Sequence, residues 1–284
     1  MKKILITGAN SYIGTSFENY IKQYEGYSVD TVDMIDGSWR EYDFSGYDTV
    51  FHVAGIAHSD TGKASEEVKA KYYAVNTDLT IETAKKAKKD GAGQFIFMSS
   101  AIVFGSKQSR ITKDTLPSPD NFYGDSKLKA DEGIHKLQDE HFNVVSIRPP
   151  MIYGKGSKGN YPRLAKLARK TPVFANYPNK RSMLYIENLC EFVRLIIENN
   201  ESGFFYPQNK EYVKTFDMVK TVANVYGKNI YGTRIFNPFV RVFKRVGVVN
   251  KVFGDLYYEK SLSEYKETYR IIDFEESIKR TESK

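Results

Sequence analysis

Cysteine is almost absent from this chain. Cys190 is the only one among 284 residues, so no intrachain disulfide can form and a reducing compartment, the cytoplasm, is the expected setting. Long apolar runs are missing too: none approaches the roughly 20 residues needed to cross a bilayer. The opening MKKILITG reaches glycine too soon to hold the apolar stretch of a secretory leader. The four histidines, His52, His58, His135 and His141, lack ligand spacing, and beside one cysteine they give no reason to expect a metal. There is no internal repeat, no low-complexity tract and no basic-aromatic interleaving that would demand nucleic acid. What is present is ordinary globular composition, 41% hydrophobic and 27% charged, enough for a large core with a smaller lobe. The net charge of +7 suits an acidic ligand such as a nucleotide.

Two patterns alternate through the first 150 residues. Short β-branched or aromatic runs at 4–7, 29–32, 49–53, 95–98 and 144–147 predict strands. Segments of helical spacing at 12–24, 66–89 and 123–140 predict helices between them. Strand and helix alternating at this spacing predict an α/β fold, a Rossmann-like doubly wound parallel sheet covered on both faces, over residues 1–150. The near-continuous apolarity of the strands agrees with burial on both sides. After Arg148-Pro149-Pro150 the pattern changes. Gly, Lys and Tyr are dense from 153 to 161 and read as a loop. Residues 182–186 and 204–206, with an amphipathic helix at 187–199 between them, are expected to rejoin the sheet as late strands. Residues 151–181 and 213–284 are assigned mainly to a small C-terminal substrate lobe, its polar end after Ile278 fraying.

The first predicted strand runs into TGANSYIG, residues 7–14, which opens a helix. A tight turn here sets backbone N–H groups and the positive end of a helix dipole against a pyrophosphate. Gly8 permits the turn and Gly14 permits close helix–sheet packing. A carboxylate is expected about 20 residues on, at the end of the second strand. Asp33 stands there and would hydrogen-bond the adenosine ribose, favouring NAD. Asp30 and Asp36 lie close by in register, and Arg40 leaves NADP open.

A third signal is MSSAIVFG, residues 98–105, followed by YGDSK, residues 123–127. Tyr123 and Lys127, four apart, share one helical face. A free phenol titrates near 10, so a tyrosine base working near pH 7 needs its phenolate stabilised by about 4 kcal/mol. A neighbouring ammonium and a cationic nicotinamide supply this by Coulomb attraction, and a serine hydroxyl can hold the reacting oxygen. Tyr206 and Lys210 repeat the spacing, but Pro207 follows directly and no Ser-Ser strand end precedes them, so they serve as a control.

With these residues in hand, the chain resembles the extended short-chain dehydrogenase/reductase family, in its nucleotide-sugar epimerase/dehydratase branch (UDP-glucose/galactose 4-epimerase-like). The resemblance rests on TGANSYIG, DTVFHVAG at 48–55, YYAVN at 72–76, MSSAIVFG, YGDSK, RPPMIYGKG at 148–156 and RSMLYIENL at 181–189. It implies that Ser100, rather than Ser99, is the catalytic serine, that Tyr123 is the general acid/base, and that Lys127 lowers its pKa and holds the nicotinamide ribose. For the cofactor it implies Gly8, Asn10, Ser11, Tyr12, Ile13 and Gly14 at the pyrophosphate and Asp33 at the ribose. Asp43 and Phe44 would flank adenine, Val53, Ala54 and Gly55 would pass under the dinucleotide with Asn76 nearby, and Pro150 would pack on the nicotinamide. On the substrate side it implies Asn160 at a helix start and Arg181 as a clamp on the diphosphate.

The sequence departs from the family pattern at three places. Ser11 replaces the usual middle glycine, Met151 stands where UDP-galactose 4-epimerases carry a substrate-binding asparagine, and Val252 replaces a second diphosphate arginine. The expected function is an NAD-dependent epimerase of a nucleotide-diphosphate sugar, a UDP-hexose or UDP-N-acetylhexosamine, acting by transient oxidation at C4 in surface-polysaccharide synthesis. A 4-keto-reductase of a UDP- or dTDP-linked sugar uses the same three residues and stands as the alternative. A dehydratase is disfavoured by the missing Asp-Glu pair after the serine, and a cofactor-sensing regulator by the retained tyrosine and lysine. The resemblance suggests a homodimer. Residues 236–253 mix Phe, Val, Lys and Arg at helical spacing. They are expected to pack inward as a lobe helix, the other reading being a peripheral membrane surface.

Overall fold

In the computed structural model, which describes residues 1–57, 64–243 and 247–283 except for the Val248 side chain, the alternating pattern becomes a layered α/β structure. Its strands are β1 (Lys2–Thr7), β2 (Tyr27–Val32), β3 (Thr49–His52), β4 (Gln94–Met98), β5 (Arg110–Ile111), β6 (Asn143–Ile147), β7 (Met151–Tyr153), β8 (Val173–Ala175), β9 (Met183–Tyr185), β10 (Gly203–Phe205), β11 (Tyr231–Thr233) and β12 (Tyr257–Tyr258). The helices are α1 (Tyr12–Ile21), α2 (Glu66–Tyr73), α3 (Leu79–Lys89), α4 (Phe122–His135), α5 (Asn160–Ala168), α6 (Ile186–Glu198), α7 (Thr215–Val225), α8 (Asn237–Phe243), α9 (Gly247–Phe253) and α10 (Phe274–Glu282). Among the described residues no helix is long and apolar enough to cross a membrane.

Six strands form one parallel sheet in the order β10-β6-β4-β3-β1-β2. Side chains alternate between its faces, because successive residues of a strand point opposite ways. Ile4, Ile6, Phe51, Ile96, Val145 and Ile147 join α1 and α6 in one core cluster. Leu5, Val50, Phe95, Phe97 and Val144 join Ala84, Ala87, Ala130 and Ile134 of α3 and α4 in another. Both faces are covered, which explains why the strands read as almost unbroken apolar runs. His52 sits in this interior as a strand residue. It lies 2.7 Å from the Thr7 hydroxyl and 3.1 Å from the Thr80 hydroxyl, and burial pushes its imidazole down to about 3, so the ring is neutral. His58 lies outside the described residues.

Chain direction across the sheet reverses between β1 and β3, and this is where doubly wound sheets open a crevice at the carboxyl ends of their strands. A smaller set of paired strands, β7–β9, β8–β11 and β5–β12, lies beyond the sheet with α5, α7 and α10.

Four sequence expectations change. Residues 182–186 do not rejoin the main sheet: β9 pairs with β7, and only β10 takes the place beside β6. The two prolines after Arg148 lack N–H donors and end the β6 ladder, so the chain leaves the sheet and makes its own partner. The single helix expected at 66–89 is interrupted by a π turn at Ala74–Asp78. The helix expected to reach 140 stops at His135. Residues 278–282 are held rather than frayed: Ile278 is fully buried, and Glu282 accepts from Tyr161 and Tyr226 at 2.7 Å each.

Phe51 is fully buried and meets Phe17 edge to face at 5.1 Å, joining α1 to the sheet directly under the crevice. Phe51→Ala is expected to cost about 3–5 kcal/mol, read as a lower midpoint in urea unfolding.

Candidate active site

The crevice is floored by backbone. Gly8 has φ +112, and a Cβ there would lie 2.7 Å from the Ala54 nitrogen, so the chains leaving β1 and β3 touch. Asn10 adopts φ 62 in the same turn. Ser11 caps α1, its hydroxyl accepting from the Gly14 N–H at 3.1 Å. Its departure from glycine is thus absorbed by the helix start. A Cβ on Gly14 would meet Val53 at 3.1 Å and Ile6 at 3.2 Å, which fixes how closely α1 can lie on the sheet. Ile13 packs against the core. The Tyr12 hydroxyl is buried without a hydrogen-bond partner among the described residues. It faces Gly154, where a Cβ would come within 2.6 Å of it. Gly55 passes over Asn76 and Lys127, with a Cβ position 3.1 Å from the Asn76 Oδ1 and the Lys127 Nζ alike. A side chain at Gly8 or Gly14 would therefore collide with its surroundings, and one at Gly55 would crowd Asn76 and Lys127. Together with the positive end of the α1 dipole, this suits a dinucleotide laid across the crevice.

Asp33 follows β2 directly and accepts from the Ile35 N–H at 2.7 Å. Arg40 is engaged elsewhere, gripping Glu82 with two hydrogen bonds of 2.6 Å, so it is not a free cation waiting for a 2′-phosphate. Asp43 is exposed, and its carboxylate takes both the N–H and the hydroxyl of Ser45. The Phe44 ring is fully buried in the core, and its N–H donates to Asp90. Its side chain therefore does not face the crevice, because an aromatic ring gains more from the core than from a solvent-exposed lip.

Ser100, Tyr123 and Lys127 come together where β4 ends and α4 begins. Asn121 starts that helix by accepting from the Gly124 N–H at 2.9 Å, and this cap orients its first turn. Burial pushes the Tyr123 phenol up to about 12, while its hydrogen bond with Ser100 pulls the other way. The Ser100 Oγ also accepts from the Ile102 N–H. Lys127 is 5% exposed, donates to the Met98 carbonyl at 3.0 Å and sits over the Phe97 ring. Burial pushes it down to about 8, opposed by the Asp131 charge. The π turn is stapled to this cluster. The Asn76 amide donates to the Ser126 hydroxyl and to the Ile56 carbonyl, and the Thr77 hydroxyl donates to the Ser126 carbonyl at 2.7 Å.

A buried ion pair beneath the lysine was not singled out by sequence reasoning. Asp131, fully buried, accepts on one oxygen from Arg148 Nε and the Ser99 hydroxyl at 2.9 Å each. Its other oxygen has no hydrogen-bond partner among the described residues. Arg148 is clasped by the Phe204, Phe104 and Tyr206 rings. The signal was present: Asp131 lies four residues after Lys127, on the same helical face. The control tyrosine, Tyr206, belongs to this clasp and not to a second Tyr–Lys site.

On the substrate side the grouping is looser. Pro150 is buried where β6 leaves the sheet. Asn160 is exposed at the start of α5, a helix with no side-chain cap. Arg181 bridges Val213 and Leu256 and donates to the Gly254 carbonyl at 2.8 Å, with the Asp255 charge close by. Met151 and Val252 both pack against the core, so neither position offers a polar group to a ligand.

A sequence model described as the NAD dependent epimerase/dehydratase family matches residues 4–206. The chain is 27% identical to a UDP-glucose 4-epimerase of Vibrio cholerae, covering 94% of this chain and 89% of the relative. It is 26% identical to the N-acetyl-alpha-D-glucosaminyl-diphospho-ditrans,octacis-undecaprenol 4-epimerase of Escherichia coli O157:H7, over 71% of this chain and 65% of the relative. In fold it is similar to the UDP-glucuronic acid 4-epimerase of Bacillus cereus crystallised with NAD, with a TM-score of 0.74, 18% identity, and coverage of 98% and 96% of the two chains.

Removing the Asp131 carboxylate strands the buried Arg148 charge, so Asp131→Ala should lose about 3–5 kcal/mol in denaturant unfolding. The milder Asp131→Asn should also shift Lys127. Because the Asp131 charge favours the protonated ammonium, its loss should move the Lys127 midpoint below about 8, observed by NMR titration of the Lys127 Cε signals.

Proposed function

The chain belongs to the NAD dependent epimerase/dehydratase family, and from that membership we propose that it is a nucleotide-diphosphate-sugar 4-epimerase acting on a UDP-hexose or UDP-N-acetylhexosamine. The observation that carries this reading is the meeting of the Ser100 hydroxyl, the Tyr123 phenol and the Lys127 ammonium beside the backbone-floored crevice. The two curated relatives compared above, both 4-epimerases, support the choice of reaction.

In the proposed mechanism Tyr123 takes the proton of the sugar C4 hydroxyl while Ser100 holds that oxygen. NAD, when bound, supplies the acceptor and then the donor of the C4 hydride. Left alone, the Tyr123 phenol is held protonated by burial. Its deprotonation depends on positive charge brought close, from Lys127 and from the oxidised nicotinamide ring. After the 4-keto sugar turns over in the site, the hydride returns to C4 on its opposite face and Tyr123 gives the proton back to the C4 oxygen. Lys127 has two further roles here, holding the nicotinamide ribose and keeping the phenolate stable. Asp33 accepts from the adenosine ribose, and the engagement of Arg40 with Glu82 favours NAD over its 2′-phosphorylated form. Arg181 and the α5 start at Asn160 hold the diphosphate. We assign residues 1–150 chiefly to the cofactor and 151–181 with 213–284 to the substrate, and infer a cytoplasmic, homodimeric enzyme.

A 4-keto-reductase is the second reading, favoured by Met151 and Val252, whose apolar side chains stand where UDP-galactose 4-epimerases of this branch place polar substrate contacts. Incubation with a panel of UDP- and dTDP-sugars, followed by product NMR, separates the two. Interconversion without added reductant marks the epimerase, and consumption of NADH or NADPH with a keto sugar marks the reductase. Tyr123→Phe should lower turnover by roughly 10²–10⁴-fold with NAD still bound; unchanged turnover would remove the phenol from the mechanism. Arg181→Ala should weaken UDP binding in calorimetry and leave NAD binding unchanged.

A further inference from the structure

Among the described residues, the segment expected to turn its apolar face inward does so at Val240 and at its end. Val252 and Phe253 pack against the core, with the Phe253 ring on Phe174 and Tyr177. In α8 and the turn before it, Val240 is the buried apolar side chain, whereas Ile235 is 83%, Phe236 49%, Phe239 60%, Val242 74% and Phe243 40% exposed. The Phe239 and Phe243 rings meet at a tilt on the outside, their centroids 4.4 Å apart. The surface is tied to the lobe: the Asn237 amide donates to the Asn176 carbonyl at 3.2 Å, and β11 pairs with β8. Tyr231, 73% exposed, continues the apolar surface into that pair.

The stretches of sequence that carry and adjoin it are basic. Residues 218–254 contain no Asp or Glu and seven Lys or Arg; residues 141–186 contain none and nine. Those 83 residues carry +16, while the other 201 hold 26 basic against 35 acidic side chains. Arg234 and Arg241 are exposed within the apolar run. A second copy of this chain docked face to face would bring positive charge against positive charge. Nucleic acid would answer the charge but leave Ile235 and Val242, which neither stack on bases nor hydrogen-bond, in water. A bilayer with anionic headgroups answers both the charge and the apolar surface.

We propose that α8 and the turn preceding it form a docking surface for an anionic lipid bilayer, with Ile235, Phe236, Phe239, Val242 and Phe243 entering the headgroup–acyl boundary and Arg234 and Arg241 meeting lipid phosphates. The surface lies on the lobe that carries Asn160 and Arg181, so the substrate side of the molecule is the side brought to the membrane. The inference is independent of the sugar chemistry, and its failure would leave that reading intact.

The test is co-sedimentation of the full chain with vesicles of phosphatidylcholine alone or with half phosphatidylglycerol, at low and high salt. Binding is expected to be at least about tenfold stronger on the anionic vesicles and to weaken as salt screens the headgroups. The double variant Ile235→Glu, Phe239→Glu should lose roughly tenfold or more of that binding, with an unchanged thermal midpoint and unchanged sugar turnover. A tryptophan at 243 (Phe243→Trp) should shift its emission to the blue on anionic vesicles and be quenched by brominated lipid, so the proposal does not hang on one variant. Equal binding to both vesicle types, full binding by the double variant, or an unshifted Trp emission would overturn it. So would a wild-type chain that ignores vesicles but dimerises through this face or retains duplex DNA.

Discussion

A single buried ion pair underlies the arrangement of the site. Asp131 and Arg148 are respectively 0% and 4% exposed, and charges so far from water persist only when each answers the other. Arg148 comes from the end of β6 and Asp131 from the middle of α4, so their contact fixes the helix against the sheet at one rotation. That rotation is the one that turns Lys127 and Tyr123, one and two turns earlier on α4, toward the end of β4. Ser99 and Ser100, adjacent in sequence, divide their work across the same junction. One hydroxyl donates to the buried carboxylate and the other meets the phenol. The aromatic clasp of Phe104, Phe204 and Tyr206 around the guanidinium shields the pair and brings β10 into the same assembly.

Much of this was legible in the chain. The Rossmann-like sheet followed from apolar runs that are buried on both faces, and the TGANSYIG turn and the Tyr123–Lys127 spacing are local patterns whose geometry a helix or a strand end dictates. What could not be read was anything set by tertiary competition. Residues 183–185 are as apolar as any sheet strand, and nothing local says which strand they will pair with. Phe44 follows the family pattern in sequence, but the ring's destination depends on the space left by Trp39 and α3. Residues 236–253 have helical spacing throughout, yet among the described residues Val240, Val252 and Phe253 turn inward while Phe236, Phe239, Val242 and Phe243 stay exposed. Periodicity announces an amphipathic helix; it does not announce what lies opposite.

The departures from the family pattern fall into the same order. Ser11 is explained within one helical turn by its cap on Gly14. Met151 and Val252 are explained only by the core they pack against. The first change is absorbed at the start of α1, while the other two are absorbed by the hydrophobic core.

The π turn at Ala74–Asp78 has a further consequence. Such a turn amounts to one residue more than a regular helix would hold, and an α-helix advances about 100° per residue. Shortening the chain by one residue there would let α2 and α3 fuse into a continuous rod. Either Asn76 would then swing round the barrel of that rod, away from Ile56 and Ser126, or everything upstream would have to rotate in compensation. The irregularity is thus a registration mark between two otherwise interchangeable helical stretches, and a length polymorphism at this point would be far less forgiving than one in any neighbouring surface loop.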